Sequence, residues 1–365
     1  MDFGLFSLCN RRETGQTTAQ LIAESRERVV LAEQAGFAAA WFAEHHFSNY
    51  SLIPSPLMMV AHCAAVTTRI RLATGIVIAS IYQPARLLSE VAFVDAMTEG
   101  RLILGVGSGY QPHELTRFQA TVDESPDMTE EMLDILEGGL SQDVFAYEGK
   151  HFSFPHTHMA LSPVQTPYPP IWFAGGNEQL LRRAARKNYP VIVSNLVHSI
   201  DQVVESRQRV ETLWEDEGQD TATLRFASHR FCQVTDSKDV ALEYADHCRS
   251  QYRLSRYLRG RQEELAGGLL PEIPASHEPS LEDIIDNSPI GDAETVAEKL
   301  VEEIRRAAPM HCVIYMNAGA FEQNKALHSI ERFGAEVLPL IEKELGPLDQ
   351  FGQSSGAVTT NAATE

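Results

Sequence analysis

Residues 84–110 read PARLLSEVAFVDAMTEGRLILGVGSGY. Leu87, Leu88, Val91, Val94 and Met97 recur at helical spacing, behind a proline suited to a first helical turn. A Glu99-Gly100 turn follows, and the next run, Leu102 to Val106, is short, continuously apolar and opens onto Gly105, Gly107 and Gly109. A strand with consecutive apolar residues is buried on both faces, which marks a parallel sheet covered by helices. The same alternation continues in both directions. Strands are predicted over 3–8, 39–43, 70–78, 102–106, 171–174, 191–194, 224–234 and 311–316. Helices are predicted over 17–35, 56–67, 84–97, 127–137, 178–187, 201–217, 238–257, 292–308 and 321–344. Eight strand-helix units in 365 residues predict an α/β fold of the (β/α)8 TIM barrel type, with a doubly wound open sheet as the competing architecture.

Two stretches break the rhythm inside a single domain that spans 1–345. FAYEGKHFSFP, 145–155, reads as a hairpin inserted after the fourth helix and turning at Glu148-Gly149-Lys150. Residues 260–289, with Gly267-Gly268, Pro271, Pro274 and Pro279, are too long for a connector and read as a mobile lid or a disordered insertion before the last unit. The polar, small-residue tail over 346–365 has the composition of disorder.

Thirty basic against fifty acidic residues give a formal net charge of -20, which disfavours nucleic acid and anionic membranes as partners. No apolar run approaches the ~18 residues of a membrane span. The N-terminus reads as a first strand rather than a signal. Five scattered cysteines without ligand spacing predict reduced thiols in a cytoplasm.

Three segments carry candidate chemistry, each at the C-terminal end of a predicted strand, where a parallel barrel gathers its reacting groups. The first is WFAEHHF, 41–47. Glu44, His45 or His46 could face a ligand there, and a histidine in that place could act as a general base or steady an anion. Two histidines that merely cap a strand are the alternative. Adjacent histidines chelate one ion poorly, and His156 and His158 lie in a proline-rich connector, so no metal site is predicted. The second is the GxGxG run through Gly107, Ser108 and Tyr110, which lets backbone approach a flat ring or an anion, or is simply a tight turn. The third is PPIWFAGGN, 169–177, whose Gly175, Gly176 and Asn177 open a helix that could receive a phosphate, with Gln179, Arg182 and Arg183 beyond.

In combination, WFAEHHF, then PSPL at 54–57, RIRLATGIVI at 69–78, LLSEVAFVDAMTEGRLILGVGSGY at 87–110, PPIWFAGGN and SPIGDAETVAEKL at 288–300 closely resemble the bacterial luciferase-like flavin monooxygenases. The resemblance runs in order over roughly 2–345. It implies a barrel that binds FMN at its mouth, usually as a homodimer, and that oxidises a small apolar or carbonyl substrate with O2, as alkanal monooxygenases do. Reduced FMN would come from a separate flavin reductase. By the same resemblance His45 is the catalytic histidine with Glu44 beside it, and the flavin ring lies over Thr74, Gly75 and Ile76, where luciferase has a non-proline cis peptide. Gly107 stands where luciferase has a cysteine. Ser108 stands where it has a phosphate-binding arginine, which shifts the phosphate toward Gly175, Gly176, Asn177, Gln179 or Arg182. The insertion at 260–289 matches a loop that covers the luciferase site. Phe6, Leu8, Trp172, Phe173 and Asn195 are the expected pocket lining. A deazaflavin-dependent hydride transferase and a non-catalytic flavin-binding subunit are the other readings.

Overall fold

The computed structural model describes residues 1–13, 15–260 and 269–348. Eight parallel strands close on themselves: β1 Asp2–Ser7, β2 Ala39–Phe42, β3 Arg71–Thr74, β4 Leu102–Gly107, β5 Ile171–Ala174, β6 Val191–Ser194, β7 Phe226–Phe231 and β8 His311–Tyr315. The order β3-β2-β1-β8-β7-β6-β5-β4 returns to its start through Leu72 and Ala73 of β3 beside Leu102 and Ile103 of β4. The predicted barrel is therefore the observed one, and the open sheet is excluded.

Two predicted strands are shorter than their apolar runs. The run over 70–78 is interrupted after Thr74, and Val77–Ile78 resumes as a separate piece beside Val106 and Gly107; the Gly75-Ile76 peptide between them is cis. The run over 224–234 leaves the barrel after Phe231, and Gln233–Val234 pairs outside it with Ile290–Gly291. The last predicted helix is also divided, into Gln323–Arg332, a π turn Phe333–Val337 and Leu338–Leu345. Pro339 explains the division, because it has no N–H to donate and its ring crowds the carbonyl four residues back.

The hairpin forms as Val144–Glu148 against Ser153–His158. Of the 260–289 insertion, 261–268 fall outside the described residues. The remainder packs on the barrel mouth: Leu270 is buried and its N–H donates to Asn49 Oδ1 at 2.7 Å, Glu272 pairs with Arg12 at 2.8 Å, and Leu281–Asn287 is helical. The predicted disordered tail lies outside the described residues from 349 onward. All five cysteines are buried and unpaired. Among the described residues no helix is long and apolar enough to cross a membrane.

Candidate active site

Side chains alternate along a strand, so every second residue enters the barrel. The lower interior is filled by Trp41, Ala73, Ile103, Trp172, Ile192, Ala227 and Val313, with Trp41 Nε1 donating to His311 Nε2 at 2.9 Å. Gly4 is obligatory beside them, since a Cβ there would stand 2.5 Å from His311 Nε2 and 2.6 Å from Trp41 Nε1. This plug fills the lower barrel among the described residues. Phe6, Gly75, Ala174, Ser194, His229 and Tyr315 form the next layer up, by the same alternation.

His45 sits at this mouth on the segment after β2. Its Nδ1 lies 3.0 and 3.2 Å from the carboxylate oxygens of Glu114, which also accepts the His46 N–H at 2.6 Å. Burial pushes the Glu114 carboxyl up, but His45 and the two hydrogen bonds outweigh it and hold the group below its usual range. An ionised Glu114 accepts, so Nδ1 is the donor, and in the neutral imidazole the lone pair is then on Nε2. Nε2 has no hydrogen-bond partner among the described residues. Tyr50 and Tyr110 meet the His45 ring edge-on at 4.8 and 5.7 Å, their hydroxyls are 3.2 Å apart, and the Arg259 guanidinium lies 4.4 Å over the Tyr110 ring. A basic nitrogen oriented by a buried carboxylate is the arrangement of a general base.

Glu44, read with His45 as catalytic, is turned away from this centre. It is 2% exposed, and its oxygens take the Ile78 N–H at 2.8 Å and His46 Nε2 at 3.0 Å. Burial raises its pKa despite those bonds. Glu44 is thus a brace between the ends of β2 and Val77–Ile78, and the acid that serves His45 is Glu114, on the short helix Pro112–Arg117 that sequence reasoning passed over.

The proposed ring-binding residues converge. Gly75 and Ile76 are half-buried at the mouth, and Gly107 ends β4 so close to them that a Cβ would stand 2.7 Å from Ile76 Cδ1 and 2.8 Å from the Ala174 carbonyl oxygen. Thr74 is buried and spends its hydroxyl on the Gly105 carbonyl at 2.8 Å. Ser108 and Tyr110 are half-buried on the following turn. At the other end, Gly175 and Gly176 are exposed, Gly176 faces open space, and Asn177 caps its helix by accepting the Leu180 N–H at 3.1 Å.

The side chains assigned to a phosphate are committed elsewhere. Gln179 donates to Asp127 at 3.0 Å and Glu130 at 3.1 Å. Arg182 is held by Glu178, Asp216 and Glu217, and Arg183 by Asp134 and Glu137. The cation beside the glycine turn is Arg209, from helix Ile200–Asp216, with Nη2 3.5 Å from the Gly176 carbonyl oxygen. Gly75, Ile76 and Gly107 thus lie together at the ends of β3 and β4, and Arg209 lies beside Gly176 after β5.

Of the expected lining, Phe6 enters the mouth, whereas Phe173 and Asn195 have the opposite parity. Phe173 and Asn195 point outward, Phe173 into the barrel-helix core and Asn195 Nδ2 to Ser206 Oγ at 3.0 Å. Trp172 lies a layer below, and Leu8 is buried in a separate cluster that includes Leu270 and Ile284. His156 and His158 stand on the hairpin, and no metal-ligating cluster occurs among the described residues.

His229, not singled out in the sequence, is 9% exposed and its Nε2 has no hydrogen-bond partner among the described residues. Burial, aided by the neighbouring Arg230 charge, lowers its pKa to about 3. Between about pH 6.5 and 3 the unfolded chain binds a proton here that the folded chain does not, so stability is full above 6.5 and falls with pH by about 1.4 kcal/mol per unit. Urea unfolding at pH 7.5 and 5 should show His229→Leu losing about 2 kcal/mol less than the unsubstituted protein. Equal losses in the two proteins would refute this account.

The match to the luciferase-like monooxygenase family model covers residues 1–310. An uncharacterised protein of Sinorhizobium fredii is 40% identical over 95% of this chain and 99% of its own length. The oxygenase component of a flavin-dependent trigonelline monooxygenase from Acinetobacter baylyi is 29% identical over 93% of this chain and 95% of its own length. Among solved structures, the oxygenating constituent of 3,6-diketocamphane monooxygenase from Pseudomonas putida, in complex with FMN, superposes with a TM-score of 0.76 at 20% identity, over 93% of this chain and 98% of that one.

Proposed function

The chain belongs to the luciferase-like monooxygenase family, and from that premise we propose that it is the oxygenase component of a two-component, FMN-dependent system. It uses reduced FMN from a separate reductase, together with O2, to oxidise a small apolar or carbonyl-bearing organic molecule. The observation that carries this reading is His45, with a basic Nε2 at the mouth and Nδ1 fixed by Glu114. The flavin-dependent relative from Acinetobacter baylyi, similar along nearly the whole chain, supports it.

Bound reduced FMN would supply the electrons that activate O2. The residues of this chain do the rest. Gly75 and Gly107, with the apolar Ile76 side chain between them, would hold the ring. Backbone N–H groups at Gly175 to Asn177 and the Arg209 guanidinium would hold the phosphate. His45 Nε2 accepts a proton as charge rearranges, and Glu114 steadies the resulting imidazolium. Tyr50, Tyr110 and Arg259 crowd the mouth and limit water there. We also assign homodimerisation to the face formed by helices Pro56–Ala64 and Pro84–Met97, where Met58, Phe93 and Met97 are exposed.

The test is titration with FMN, oxidised and then anaerobically reduced, followed by mixing with O2, on protein whose mass is followed by light scattering. Binding of reduced FMN, a long-lived oxygen-dependent absorbance change and a mass of twice 40.5 kDa are expected. Substrate turnover without oxygen would instead identify deazaflavin hydride transfer. Binding without any activity of the single chain would identify a non-catalytic subunit.

A further inference from the structure

Ser194 and His229 are register partners across β6 and β7. Their neighbours on the same face, Ile192 and Ala227, belong to the interior plug, so both polar side chains rise from that plug into the mouth. Ser194 is exposed there, whereas His229 is buried with an unsatisfied Nε2. The Phe6 ring centroid lies 4.4 Å from that of the imidazole and the Tyr315 centroid 6.2 Å, so the wall beside His229 is aromatic. A buried nitrogen without a partner costs the folded chain stability. Arg230, the next residue, turns outward to Glu303.

We propose that Ser194 and His229 bind the oxygen of an uncharged carbonyl group on the organic substrate, while Phe6 and Tyr315 carry its apolar body. The inference rests on the oxygenase reading above. A carbonyl oxygen has two lone pairs, and the serine hydroxyl and one imidazole N–H supply two donors. Burial keeps the imidazole neutral, so the pair presents no positive charge to a carboxylate. A hydrocarbon of the same shape leaves both donors unpaired, which is the strongest basis a pocket has for rejecting it.

The test uses the purified chain with oxidised FMN, and calorimetric titration with cyclohexanone, its oxygen-free isostere methylenecyclohexane, and cyclohexanecarboxylate. The ketone should bind about tenfold or more tighter than the isostere, and tighter than the carboxylate. His229→Leu should abolish the preference, His229→Gln, which keeps an N–H, should restore part of it, and Ser194→Ala should weaken it about threefold. FMN absorbance titrations should be unchanged in all three variants. Removing an unpartnered polar group should leave the melting temperature of His229→Leu at or above that of the unsubstituted chain; if that variant does not fold, His229→Gln and Ser194→Ala carry the test. A preference that survives His229→Leu, its absence in the unsubstituted chain, or tighter binding of the carboxylate would overturn the proposal. Failure of the unsubstituted chain to bind FMN would count against the oxygenase reading instead, and the ketone titration would still be read on the flavin-free protein.

Discussion

Replacing His45 with asparagine should lower substrate oxidation by about 10²–10⁴-fold, the range a positioned acid or base contributes, with reduced-FMN affinity changed less than about threefold. The side chains differ little in volume, and asparagine can still donate toward Glu114, so the loop after β2 keeps its anchor while the basic nitrogen at Nε2 is lost. Glu114→Gln should cost less, about tenfold in turnover, because the imidazole remains but its tautomer and orientation are no longer enforced. It should also change the pH profile of turnover, which a purely structural carboxylate would not do. The measurement is single-turnover oxidation with reduced FMN in excess, following product and oxygen consumption together. The expected signature is uncoupling, with oxygen still consumed as product yield falls. Full product yield from His45→Asn would remove His45 from the chemistry.

This pairing also shows where the sequence stopped being legible. The eight strands could be found because each is a short, continuously apolar run bounded by glycine, proline or polar residues, a local signal. His45 was legible for a similar reason, since it closes one of those runs. Glu114 was not, because its meaning comes from a partner 69 positions earlier in the chain, and a carboxylate on a six-residue helix after a glycine run has no local mark. Glu44 is the reverse case: it is adjacent to His45 in sequence, but its carboxylate is buried against Ile78 and His46. Phe173 and Asn195 failed on parity, because a one-residue shift on a strand exchanges the barrel interior for the helix-facing side. His229 carried no signal at all. A histidine among apolar residues of a strand reads as core until the structure shows that its nitrogen has no partner.

The largest stability effect should come from behind the mouth. Arg230 is 2% exposed and pairs through Nε with Glu303 at 3.2 Å. Its Nη1 donates to the carbonyl oxygens of Asn195 at 2.5 Å and His198 at 2.8 Å, and its Nη2 donates to that of Asn287. Ser228 adds a hydroxyl to the same carboxylate at 2.5 Å. One guanidinium thus ties β7 to helix Ala293–Ala307, to the turn after β6 and to the end of the helix Leu281–Asn287. Arg230→Met leaves Glu303 charged, buried and without its counter-ion, and should cost about 3–5 kcal/mol in urea unfolding, the usual loss when one partner of a buried pair is removed. The double variant Arg230→Met with Glu303→Leu removes the stranded charge and should recover part of that loss. Recovery should stop short of complete, because the carbonyls of Asn195, His198 and Asn287 still lack their donor. A loss below about 1 kcal/mol for the single variant would mean that water reaches Glu303 and that the pair is not a buried one. Because Arg230 holds the turn after Ser194 and follows His229 directly, the double variant should also raise KM more than it lowers kcat: the donors remain, but their spacing at the mouth is no longer fixed.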